Sequence, residues 1–105
     1  MRFKKGVSLF GVRPEMVIVF QVVESVYLEL AHQGVTITSV TDGNHGSIVH
    51  GVGCGVDIRT RYDNKRVQWS DSLKADIVNA LNSRLTKEFD IVLESDHIHI
   101  ELDRR

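Results

Sequence analysis

Residues 89–102 read F-D-I-V-L-E-S-D-H-I-H-I-E-L. Two apolar-rich runs flank the short polar link Glu94-Ser95-Asp96, and together they predict an antiparallel hairpin over 89–93 and 97–102. In the second run His97, His99 and Glu101 alternate with Ile98, Ile100 and Leu102. Period two puts the three polar residues on one face and the three aliphatics on the other. One face therefore packs on a core. The other presents two imidazoles about 7 Å apart at Cα.

Upstream of the hairpin, Leu73, Ile77, Ala80, Leu81 and Leu85 follow helical spacing. Ser70 or Ser72 can cap that helix, and Asp71 is well placed in its first turn. Residues 62–69 are polar and loop-like. Residues 55–61 predict a strand with Val56 and Ile58 on one side and Asp57 and Arg59 on the other. Residues 45–53 hold three of the eight glycines and read as a loop, after the turn chemistry of Asp42-Gly43-Asn44. The β-branched run over 35–40 predicts a strand.

A first helix is predicted over 16–31, from the stripe Val19, Val22, Val23, Val26 and Leu30. Pro14 and Glu15 suit its first turn, and Gly34 reads as its stop. The valines and Ile18 keep a strand open over 17–20. Residues 1–12 are a short basic segment with a strand or turn around 7–10. The order is helix, strand, strand, helix, strand, strand. It predicts an α+β domain of two layers, about two helices on a mainly antiparallel four-stranded sheet.

At 105 residues, residues 1–105 form a single domain. Hydrophobic content of 42% and charged content of 26% are those of an ordinary soluble domain. The net charge of −1 offers no electrostatic capture of nucleic acid or of an anionic membrane. Cys54 is the sole cysteine, so no intrachain disulfide is expected. The basic start lacks the apolar run and small-residue cleavage site of a secretion signal. No apolar run reaches the roughly 18 residues of a membrane span. Synthesis in a cytoplasm without a signal peptide is expected.

Four of the five histidines fall in two short segments: His45 and His50 in 45–57, His97 and His99 in 94–101. His50 and Asp57, with a histidine of the second segment, make a three-ligand set for one zinc ion. Imidazole and carboxylate are ordinary zinc donors, and three protein ligands with an open position mark a catalytic site. Gly51, Gly53 and Gly55 let backbone approach a metal or substrate closely. The plainer reading of H-x-H is a polar outer strand face.

These residues resemble the superfamily of zinc D-alanyl-D-alanine peptidases and hedgehog amino-terminal domains. His50-x-x-Gly53-x-Gly55-x-Asp57 is similar to its histidine–glycine–aspartate pattern, and Asp96-x-x-His99-Ile100-Glu101-Leu102 looks like the ending of small phage-type cell-wall peptidases. His45 and the His97-Ile98-His99 triplet look more like the hedgehog variant. The resemblance implies His50, Asp57 and His99 as ligands of one zinc ion. It implies a carboxylate base, Asp96 by the peptidase spacing or Glu94 by the hedgehog one. His97 and His45 would line the site and stabilise an oxyanion. Ile48 stands where the family has serine, with Ser47 one position earlier, and the family's arginine before the motif has no match in T-S-V-T-D-G-N-H over 38–45. Ser47, and Arg59 or His45, are the candidates to replace them toward substrate.

The implied activity is hydrolysis of peptidoglycan peptides containing D-amino acids, of carboxypeptidase or endopeptidase type, by a zinc-activated water. The expected setting is phage, with release by lysis or carriage on a virion. Two other readings remain: a catalytically silent zinc-binding module of hedgehog type, and a virion or structural protein with incidental histidines.

Overall fold

The computed structural model describes residues 1–9, 14–41 and 54–102. One edge of its sheet is the hairpin of β4 (Phe89–Leu93) and β5 (His97–Leu102). On its other side β5 pairs antiparallel with β3 (Cys54–Arg59), which pairs antiparallel with β2 (Thr36–Thr41). A two-residue strand, β1 (Arg2–Phe3), joins β2 in parallel. The sheet is therefore mixed and five-stranded, in the order β1-β2-β3-β5-β4. With helices α1 (Glu15–Leu30) and α2 (Asp71–Arg84) it makes the expected α+β domain of two layers.

The alternation read in the sequence decides which face each strand buries. Ile98, Ile100 and Leu102 are fully buried, while His97, His99 and Glu101 are only half-buried. Val56 and Ile58 of β3 are buried likewise, and Asp57 and Arg59 are not. The buried face meets Met16, Val19, Val23, Val26 and Tyr27 of α1 and Ile77 and Leu81 of α2 in one core cluster. Each such aliphatic contributes roughly 1.5–3 kcal/mol by leaving water. The helices thus cover one face of the sheet, and the candidate site residues project from the other.

The β-branched run over 17–20 is helix, not strand, because Met16, Val19, Val23 and Val26 fall on one helical stripe and bury it. Val17 and Ile18 lie off that stripe and remain exposed. Pro14 takes the N-cap position with φ −55°. Ser70 caps α2 by accepting the Leu73 N–H at 3.1 Å, so Ser72 is not the cap.

Three boundaries differ from the expectation. The strand or turn placed around 7–10 is not where the chain pairs; two residues earlier in the sequence, Arg2 and Phe3, add the fifth strand. Two residues are too few for any periodic signal. Strand β3 begins at Cys54, which is buried opposite Leu102, and ends at Arg59. Gly34 is not the stop of α1. The helix ends at the Ala31 cap, and His32 turns the chain with φ +56°. Gly34 instead makes room for Glu24, whose carboxylate accepts the Val35 N–H at 2.8 Å.

An exposed histidine in the left-handed region is strained by about 1 kcal/mol, a cost glycine does not carry. His32→Gly is accordingly expected to raise stability by about 0.5–1 kcal/mol, measured as a shift in the urea midpoint at unchanged slope. An unchanged or lower midpoint would show that His32 has contacts worth more than the strain.

Candidate functional site

Strand register brings the site together. Asp57 lies directly opposite His99 in the β3–β5 ladder, and Arg59 lies opposite His97. Side chains directly opposite in an antiparallel pair are near neighbours on one face. His99 Nδ1–H donates to Asp57 Oδ1 at 2.6 Å, since an ionised carboxylate can only accept. His97 Nδ1–H donates to Asp96 Oδ1 at 2.7 Å, and its Nε2 sits 3.7 Å from Asp57 Oδ1. Glu101 approaches His99 Nε2 at 3.6 Å.

Gly55 leaves room for this arrangement. A Cβ there would come within 3.0 Å of His99 Cε1, so the missing side chain is the space in which the imidazole lies. Thr38 sits at a shift of register between Ile37 and Ser39, and its hydroxyl donates to the Asp57 carbonyl at 3.3 Å. Such irregularities re-aim side chains beside functional surfaces. From below, the buried Tyr27 hydroxyl donates to the Arg59 carbonyl at 2.7 Å. Tyr27 also meets the buried Trp69 ring edge-on at 4.9 Å. Helix α1 therefore fixes the end of β3 through a buried contact. The buried Lys74 of α2 reaches the hairpin turn, donating to the Ser95 carbonyl at 3.0 Å beside Asp96.

A polar pocket of about 260 Å³ opens next to His97. Asp57, Asp96, His97, Lys4, Arg59, Arg61, Thr38 and Gln68 line it. Gln68 is held by the Thr60 hydroxyl at 2.7 Å.

Of the expected site residues, Asp57, Arg59, Asp96, His97 and His99 converge on this face. Glu94 does not line the pocket; its N–H closes the hairpin turn onto the His97 carbonyl, and its side chain is exposed. Asp96 is thus the better placed of the two candidate bases. His45, Ser47 and His50 lie outside the described residues. Lys4, Thr38, Arg61 and Gln68 were not anticipated. Arg61 shares the parity of Asp57 and Arg59, which was a usable signal. Lys4 arrives through the parallel β1–β2 pairing and Thr38 through a register shift, and neither leaves a local mark.

The electrostatics follow from these contacts. Burial disfavours charge on His99, but the hydrogen bond and charge of Asp57, helped by Glu101, outweigh it and raise the pKa above 6.5. The hydrogen bond from His97 holds the exposed Asp96 carboxyl below its ordinary range. Because the folded pKa of His99 is raised, its stabilising effect is complete below pH 6.5 and is lost as pH climbs through the raised value. Metal-free protein is therefore expected to lose stability on the alkaline side of about pH 6.5, and His99→Gln to flatten that loss. Thermal melts between about pH 6 and 9 test this, and an equal slope in the variant would refute it.

The Asp57 carboxylate and the His99 imidazole are ordinary zinc donor types, and here they hold each other by a hydrogen bond of 2.6 Å. Among the described residues no group of three such side chains is arranged to hold a metal ion; the third expected ligand, His50, is not among them. No helix of the described residues is long and apolar enough to cross a membrane. No protein family matches the chain, and neither does any curated protein or solved structure.

Proposed function

We propose that the chain is a zinc-dependent peptidase acting on peptidoglycan peptides that contain D-amino acids. The observation that carries the reading is the pairing of Asp57 with His99 across β3 and β5. These two residues stand 42 positions apart, and the resemblance to the zinc peptidases implies both as ligands. With His50 they would complete a three-ligand set. Zinc bound there would supply Lewis acidity toward the scissile carbonyl and lower the pKa of water.

The other side chains have separate tasks. Asp96 takes the proton of the attacking water and returns it to the leaving amine. Its lowered pKa keeps it ionised, as a proton acceptor must be, and makes it a weaker base than an ordinary carboxylate. His97 Nδ1–H orients that carboxylate, and its ring faces the pocket where negative charge develops on the substrate oxygen. Thr38 and Gly55 hold Asp57 and His99 in place by a hydrogen bond and by vacant space.

The test joins metal analysis to turnover. Purified protein is expected to carry one zinc per chain and to release soluble fragments from isolated peptidoglycan. Protein with no zinc after incubation and desalting would overturn the reading. Protein that holds zinc but releases nothing would leave the silent zinc-binding module in its place.

A further inference from the structure

The pocket beside His97 is unevenly charged. Its two acids are both engaged, Asp57 by His99 at 2.6 Å and Asp96 by His97 at 2.7 Å. Its three cations, Lys4, Arg59 and Arg61, line the same pocket. Among the described residues no ion pair joins any of the three to a carboxylate. Asp63, the acid that acts on Arg59, is itself held by Arg2 at 2.7 Å. Arg61 Nε is buried without a hydrogen-bond partner. Clustered cations, two of them half-buried arginines, are relieved by an anion, and guanidinium groups bind carboxylates through paired hydrogen bonds.

We propose that Lys4, Arg59 and Arg61 form a carboxylate subsite that takes the free C-terminal carboxylate of the peptide being cut. The assignment rests on the peptidase reading above and narrows it to cleavage of the last peptide bond, the carboxypeptidase type. The register sets the distance. Arg59–His97 follows Asp57–His99 by two residues along the ladder, about 7 Å. A terminal carboxylate lies one residue, about 3.5 Å, beyond the carbonyl of the last peptide bond, and the long stem of Arg59 spans the remainder. A peptide continuing past that residue would run its backbone, with no charge, into the cationic wall.

The test is binding to metal-free protein, followed by amide NMR shifts, with three probes: N-acetyl-D-alanyl-D-alanine, its C-terminal amide and inorganic phosphate. The acid is expected to bind at least about tenfold tighter than the amide and to shift Arg59 and His97. Arg59→Gln should remove that preference, and Lys4→Gln, at an exposed position, should weaken it without disturbing the fold. Equal binding of acid and amide, or an undiminished preference in both variants, would overturn the subsite. Phosphate binding tighter than the acid would overturn it in favour of a free anion. Turnover by zinc-loaded protein separates the two readings. Equal cleavage of acid and amide removes the subsite and keeps the peptidase. Preferential binding of the acid with no cleavage keeps the subsite and removes the peptidase.

Discussion

Alanine at Asp57 or His99 is expected to lower zinc affinity by well over about a hundredfold, and to abolish peptide hydrolysis. Loss of a partner that merely orients a ligand already costs about 10–100-fold in metal affinity, so loss of a ligand should cost more. The two residues face each other across one ladder position, and removing either leaves a single donor on that side. Asp96→Asn should behave differently. It keeps the hydrogen-bond shape beside His97 but cannot accept a proton, so zinc content should stay and turnover should fall by about 10²–10⁴-fold. Metal content by mass spectrometry, read with the rate of fragment release, tests all three variants. Wild-type zinc content in both Asp57→Ala and His99→Ala would end the metal assignment.

Ile100→Ala should be the most damaging core change on β5, costing about 2–5 kcal/mol. Ile100 is fully buried, on the strand between Val56 of β3 and Ile91 of β4. Its neighbours on both sides are tied by strand pairing, so they cannot collapse into the cavity. Domains of this size are stable by about 5–15 kcal/mol in total, and each lost kcal/mol lowers the melting temperature by about 4–8 °C. Val92→Ala is the control. Val92 belongs to the same hairpin but is exposed, and its loss should change stability by no more than about 0.5 kcal/mol. Equal effects of the two substitutions in urea melts would contradict the assignment of faces.

The strands that carry the site were legible because alternation is a local property. H-I-H-I-E-L shows its two faces in six residues, and V-D-I-R shows Val56 and Ile58 opposed to Asp57 and Arg59. The hairpin followed from its short link. What was not legible depends on partners distant in sequence. Arg2 and Phe3 become a strand only because β2 offers an edge. Lys4 reaches the pocket by the same route. His32 ends α1 in a conformation that composition assigns to glycine, and the chain had a glycine two residues later to attract the reading. Gly55 looked like freedom for a backbone near metal; its use is to leave the His99 ring a place.

The Asp57–His99 contact also dates the site within folding. Its partners are separated by 42 positions, with α2 and β4 between them, whereas the β4–β5 turn closes over a three-residue link. Closing the longer loop costs chain entropy that only the finished ladder returns, so local hairpin formation is expected to precede it. The paired donors are then absent from the early collapsed chain and arise when β3 docks on β5. A metal that recognises the pair has nothing to bind before that step. It would act as a brake on opening, slowing escape from the native state while leaving the rate of reaching it unchanged.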